Sequence, residues 1–144
     1  MSAHKMSDDE VWTFLDSTPP HTGKLATVRA DGRPHVAPIW FAVDGREIVF
    51  TTGAGTAKGT AILRDGRVAL CIDDERPPFS FVVVEGTVEI VEGAGELRRW
   101  AGIIGGRYMG DDRADAYGER NAVEGELLVR LRPMRITAAA DVAD

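Results

Sequence analysis

A single cysteine, Cys71, serves a chain of 144 residues, which excludes an intrachain disulfide and any cysteine-rich metal site. It lies in the apolar run RVALCID and reads as a buried, inert thiol. Histidine is almost as scarce: His4, His21 and His35 show no metal-ligand spacing, and His35 reads as a strand-face or surface residue. No apolar run is long enough to span a bilayer, and no apolar signal core follows the start. Neither membrane insertion nor standard secretion is therefore expected, and a cytoplasmic location follows by default. Positive charge is in deficit: 17 Lys and Arg face 23 Asp and Glu, a net charge of −6. That balance argues against nucleic acid or an anionic membrane as the main partner. There is no Ser-His-Asp, Cys-His or paired-carboxylate arrangement, no Rossmann fingerprint, no Walker lysine and no zinc signature. An enzyme built on this chain would take its reactive atom from a cofactor.

What remains is an ordinary globular composition, 44% hydrophobic and 28% charged, sufficient for one domain over residues 1–144 with a real core. Residues 1–6 and 138–144 are expected to be disordered tails. Ser7 and Glu10 form a capping-box pattern ahead of Val11, Phe14 and Leu15, which predicts a short helix over 8–16 ended by Pro19-Pro20. Alternation then predicts strands over 24–29, 35–43 and 47–52, joined by Asp31-Gly32 and Asp44-Gly45 turns. Pro38 within the second strand marks an edge or a bulge, because proline cannot donate to a ladder. A short helix over about 57–64, a third Asp-Gly-Arg turn and a strand over 68–73 follow. A long strand over 79–92 has Val82, Val84, Val88 and Ile90 on one face, with Gly86 marking a bend or bulge. Residues 94–109 read as the longest helix, with a short helix near 114–117. The last strand runs from Glu126 through Pro133 towards Thr137. About six antiparallel strands with a few flanking helices, joined by hairpins, predict a mainly β (α+β) barrel rather than a parallel βαβ sheet.

Three segments carry candidate chemistry. Thr51, Thr52, Gly53, Ala54, Gly55, Thr56, Ala57, Lys58 and Gly59 can form a phosphate cradle of loop amides, hydroxyls and one ammonium at a helix N-terminus. The same residues can equally be a flexible strand-to-helix loop in which Thr56 caps the helix. Lys58 tilts the balance, since a cation in a first helical turn opposes the helix dipole unless an anion is near. Pro38, Ile39 and Trp40, followed by Phe41, can wall a flat ring; Trp40 and Phe41 face opposite ways, so at most one is core. Pro77, Phe79 and Ser80 belong to a rigid aromatic segment that can line a ligand mouth or carry two core phenylalanines. The Arg residues beside the turns read as solvated strand-end charges.

With these residues in view, the chain resembles the pyridoxamine-phosphate-oxidase-like split β-barrel superfamily. Within it, the closest resemblance is to the actinobacterial flavin/deazaflavin oxidoreductases that use coenzyme F-420. The resemblance rests on LATVRADGRPHVAPIWF, IVFTTGAGTAKG and VALCIDDERPPFSFVVVEGTVEI and spans nearly the whole chain. It implies a homodimer with the cofactor in a groove between two barrels, and hydride transfer from the reduced cofactor to enones, other activated double bonds or tetrapyrroles such as biliverdin. It also implies that the Thr-rich loop with Lys58 holds the cofactor phosphate, and that the strand through Pro38, Ile39 and Trp40 lies beside the ring. The cofactor-binding set so identified is Pro38, Ile39, Trp40, Thr51, Thr52, Thr56, Ala57, Lys58, Gly59, Pro77, Phe79 and Ser80. The loop lacks the dense Arg/Lys pair of many FMN-binding members, which favours F-420 over FMN. An FMN-dependent oxidase or reductase, and a non-catalytic module for a cofactor or haem-like ligand, are the alternatives.

Overall fold

Hairpin chemistry and one Trp-Phe corner organise the chain. The structure, a computed structural model, describes residues 2–144. Its elements are β1 (His4–Lys5), α1 (Asp8–Leu15), β2 (Gly23–Val28), β3 (Pro34–Ile39), β4 (Ala42–Asp44), β5 (Glu47–Gly53), α2 (Ala57–Arg64), β6 (Arg67–Asp74), β7 (Ser80–Val91), α3 (Ala94–Met109), α4 (Ala114–Asn121) and β8 (Glu126–Ala140). A single 3-10 turn precedes α4. The Asp-Gly turns close the β2–β3 and β4–β5 hairpins with Gly32 at φ 88° and Gly45 at φ 62°, a backbone region that glycine enters without a Cβ penalty. Ser7 accepts from the Glu10 amide at 3.2 Å and Glu10 accepts from the Ser7 amide at 3.1 Å, completing the capping box of α1.

The strands form one antiparallel sheet in the order β3-β2-β6-β7-β8-β5-β4, with β1 added beside β8. The two ends of that order, β3 and β4, are separated in the chain by only Trp40 and Phe41. The sheet must therefore curl until its edges approach, which produces the split β-barrel. Alternate residues point inward, and Leu25, Phe41, Ile48, Phe50, Leu70, Ile72, Val82, Val84, Val129 and Leu131 fill the interior. A second apolar layer lies outside the barrel, where Trp100 and Ile104 of α3 pack on Ala42, Val49 and Leu128. No helix among the described residues is long and apolar enough to cross a membrane.

Four expectations need correction. The tails are not disordered: His4 and Lys5 pair with Ala140 and Ala139, Met6 is buried, and its amide donates to Ala138 at 3.1 Å. Met1, part of the same expectation, lies outside the described residues. The strand predicted over 35–43 is two strands, broken where Trp40 and Phe41 turn between the sheet edges. With β1 and β4 the strand count rises to eight. Cys71 is half-buried rather than buried, and burial raises its pKa. The turn arginines are not simply solvated: Arg33 and Arg67 fold back onto Asp31 and Asp65, each at 2.7 Å.

Gly86 sits at the register shift where Pro133 faces it, and Met134, 77% exposed, is bulged outward. A Cβ at Gly86 would lie 2.1 Å from the Arg132 carbonyl oxygen. Gly86→Ala should therefore cost about 1–3 kcal/mol in urea unfolding. Gly95→Ala, where a Cβ meets nothing within 4 Å, should leave stability unchanged or raise it by up to ~1 kcal/mol. Equal effects at the two positions would refute the close approach of β7 and β8.

The N-terminal strand is clipped to α1 by His4 Nε2 and Glu10 Oε2 at 2.8 Å. The hydrogen bond to Glu10 raises the His4 pKa above its ordinary 6.5. Folded His4 thus holds its proton more tightly than unfolded His4, so the contribution is complete below 6.5 and is lost as pH rises through the raised value. Amide exchange at Lys5 and Ala139 should quicken across that upper window in the wild type and be flat in His4→Gln, beyond the intrinsic base catalysis.

Candidate functional site

At the split of the barrel lies a cleft of about 310 Å³ lined by Thr22, Pro38, Ile39, Trp40, Thr51, Lys58, Ala101, Ile104 and Asn121. Each wall has a local cause. The end of β3 presents Pro38, Ile39 and Trp40 because β3 is an edge strand, where a proline is tolerated, and the chain then turns to β4. Thr51 comes from β5, and Lys58 from the first turn of α2. Ala101 and Ile104 come from α3, and Asn121 ends α4. Lys58 is half-buried and is the one charged side chain among the lining residues; no described acidic residue lines the cleft. In a chain of net charge −6 this is a local cation facing an apolar and aromatic wall.

The aromatic wall is built in depth. Phe41 enters the core at 0% exposure, which leaves Trp40, its neighbour, half-buried at the cleft. The Trp40 ring stacks on Tyr108 at 5.1 Å with 7° between the planes, and Tyr117 meets it at 5.8 Å and a tilt of 59°. The Tyr108 hydroxyl donates to the His21 carbonyl at 2.7 Å and accepts from the Phe41 amide at 3.4 Å. Burial raises the Tyr108 pKa, so the hydroxyl remains a donor at neutral pH. Next to it, Arg107 donates to the carbonyls of Phe41 and Leu15, each at 2.7 Å. The end of α3 therefore fixes both the Trp40 wall and the His21–Thr22 edge.

The residues singled out from the sequence divide into four groups. Pro38, Ile39, Trp40, Thr51 and Lys58 converge on the cleft. Thr52, Thr56 and Gly59 form the joint beneath it. Thr56 Oγ1 accepts from the Gly59 amide at 3.1 Å and donates to the Gly53 carbonyl at 2.8 Å, so it caps α2; Thr52 Oγ1 lies 3.3 Å away. A Cβ on Gly59 would lie 2.0 Å from the Gly53 oxygen, so only glycine lets α2 start this close to β5. Ala57 faces a separate crevice with Thr56. Pro77, Phe79 and Ser80 are not brought to the cleft. Phe79 and Ser80 dock the C-terminal segment instead: Phe79 O accepts from Val142 N at 2.8 Å, and Ser80 Oγ from Asp141 N at 3.1 Å.

Thr22, Asn121, Tyr108 and Tyr117 carry no local sequence signal for the cleft. Ala101 and Ile104 do lie on the apolar face expected of α3, and the cleft uses the rim of that face. Through Thr22 the cleft adjoins a wider depression of about 450 Å³ around Pro19, His21, Lys24, Asp73 and Arg76, where Lys24 and Asp73 pair at 2.6 Å. Among the described residues no group of three or more His, Cys, Asp or Glu side chains could hold a metal.

Comparison with known proteins gives a consistent context. Residues 7–138 match the family described as pyridoxamine 5'-phosphate oxidase. Among solved structures, the conserved hypothetical protein Rv2991 from Mycobacterium tuberculosis is 31% identical, with a TM-score of 0.79 over 92% of this chain and 84% of its own. An F420 reductase is 32% identical, with a TM-score of 0.62 over 81% of this chain and 89% of its own. The FAD binding protein from Mycobacterium smegmatis is 25% identical, with a TM-score of 0.64 over 94% and 97%. On the match across residues 7–138, this chain belongs to the pyridoxamine 5'-phosphate oxidase family, in its split-barrel form.

Proposed function

We propose that the chain is an oxidoreductase that binds reduced coenzyme F-420 in the Lys58 cleft. It then reduces an activated double bond of a bulky unsaturated substrate, such as an enone, a quinone-like compound or a tetrapyrrole like biliverdin. The observation that carries this reading is the pairing of one cation, Lys58, with the Pro38–Trp40 wall in a cleft free of described acids. Lys58 suits a phosphate, and Trp40, backed by Tyr108, suits one face of a planar heterocycle. The 32%-identical F420 reductase supports the choice of cofactor. When bound, the cofactor supplies the hydride. The chain's part is to orient the ring, neutralise the phosphate and exclude water, for which no protein nucleophile is needed. The FAD binding protein at 25% identity supports the second reading, an FMN- or other flavin-dependent enzyme in the same cleft.

A cleft of about 310 Å³ is at the low end for cofactor sites, and one chain leaves a side open. The outer face of the β2–β3 hairpin beside it carries Val28 at 41% and Val36 at 66% exposure, with exposed Pro38 in line. Such an apolar strip next to the cleft suits a second copy of the chain, so that a homodimer closes the groove.

Titration of the purified protein with F-420 and with FMN, side by side, tests the cofactor; tighter binding of FMN would overturn the first choice. Lys58→Ala should weaken F-420 binding by about 1–3 kcal/mol, or roughly 5- to 150-fold. Unchanged affinity would remove Lys58 from the site. Val36→Glu should yield monomers by light scattering and lower the F-420 affinity in parallel. A monomeric variant that binds as the wild type does would separate the cleft from any second copy.

A further inference from the structure

The loop that carries Lys58 has a second side. Behind it, between the end of β2 and the start of α2, lies a crevice of about 240 Å³ with Arg29 and Arg64 among its walls and Ala57 and Ala61 on its floor. No described acidic residue lines it. The nearby carboxylates are already engaged: Arg33 holds Asp31 at 2.7 Å, and Arg67 holds Asp65 at 2.7 Å. Both acids have lowered pKa values, chiefly through hydrogen bonds with those two arginines, and Arg29 and Arg64 act on them only as further charges. Arg64 is anchored by one bond to the Val28 carbonyl, and a guanidinium has donors to spare.

A second observation is independent of the crevice's charge. Thr27 Oγ1, Arg29 Nε and His35 Nδ1 are buried without a hydrogen-bond partner. Thr27 is 2% exposed and pairs across the hairpin with His35, and Arg29 follows Thr27 by two residues, so the three share one face of the β2–β3 hairpin. α2 packs over that hairpin. Buried polar atoms are satisfied in native proteins as a rule, and of the three orphans Arg29 lines the crevice itself, so its Nε–H is a buried donor open to a polar guest there.

We infer that this crevice is a second anion site, distinct from the Lys58 cleft, for a carboxylate or phosphate on a short apolar body. Arg29 and Arg64 hold the anion, and Ala57 and Ala61 meet the body. The start of α2 adds a small favourable field without being the basis of the site. Such an anion can come from a free small acid or from the charged end of a molecule seated in the cleft, because both spaces border the start of α2, where Lys58 lines the cleft and Thr56 and Ala57 line the crevice.

Phenyl phosphate and glutarate, titrated into the full chain and followed by amide NMR shifts, test this without any cofactor. Both should bind saturably and shift the amides of Arg29, Gly55, Ala57 and Ala61. Arg29→Gln should weaken the binding read at Ala61 about tenfold, with Arg29→Lys largely restoring it and Arg33→Gln, whose side chain is held by Asp31 outside the crevice lining, leaving it unchanged. The Arg29→Lys rescue guards against a misfolded glutamine variant. A repeat with F-420 present distinguishes the sources: simultaneous binding marks a site for a free acid, and mutual exclusion marks one for the charged end of a cleft ligand. No saturable binding would mean that the orphan atoms are met by water alone, and shifts confined to the Lys58 side, or equal affinity in Arg29→Gln, would likewise overturn the inference. Because the probes act without F-420, this result is independent of whether F-420 binds the cleft.

Discussion

The architecture depends on the join at Trp40–Phe41. Those two residues connect the opposite edges of the sheet, β3 and β4, so no arrangement of the remaining strands can leave the edges far apart. A tight corner between edge strands leaves backbone groups without ladder partners, and these must be satisfied elsewhere. The end of α3 does this. Arg107 donates to the Phe41 carbonyl and the Tyr108 hydroxyl accepts from the Phe41 amide, so both polar groups of Phe41 are met by adjacent side chains. The Arg107 guanidinium also lies 4.7 Å from the Phe41 ring centroid. The corner that closes the barrel is thereby the support of the cleft wall, and structure and site share one set of contacts.

That sharing explains how a net acidic chain can present a cation to a cleft. Several of its carboxylates are drawn into local pairs at turn ends and along β8, where Arg130 meets Asp44 at 2.7 Å and Arg132 meets Glu47 at 2.8 Å. Exposed pairs of this kind add little stability. Their consequence here is spatial: negative charge is committed on the outer sheet and at the hairpin tips, away from the described lining of the Lys58 cleft and of the Arg29–Arg64 crevice.

Much of this was legible in the sequence where the deciding forces are local. The capping box of α1, the Asp-Gly hairpins, α2 over Ala57–Arg64 and α3 over Ala94–Met109 are each set by residues within a few positions of one another. The convergence of Pro38, Ile39 and Trp40 with Thr51 and Lys58 has a short-range cause as well, because only the Trp40–Phe41 corner and the β4–β5 hairpin separate β3 from the loop after β5. Long-range pairing was not legible. Nothing in the N-terminal His4–Lys5 announces Ala139 and Ala140 as partners, and both segments have the polar or small residues of a frayed end. Pro77, Phe79 and Ser80 have the composition of a ligand mouth, yet the carbonyls of Pro78 and Phe79 and the Ser80 hydroxyl are met by the chain's last residues. Tyr108 lies near the end of the helix expected over 94–109, and only the fold sets its ring against Trp40.

The Thr-rich loop is not a cradle of equivalent donors. A hydroxyl has one proton, and that of Thr56 goes to the Gly53 carbonyl while its lone pair caps the Gly59 amide. Thr52 is buried against it and does not line the cleft. Of the three threonines, Thr51 alone reaches the cleft beside Lys58. The loop's hydroxyls therefore serve mainly to fix where α2 begins, and α2 in turn fixes the Lys58 ammonium relative to Trp40. The cleft thus offers one charge held at a set position beside one supported ring, and the Arg29–Arg64 crevice lies on the other side of the same loop.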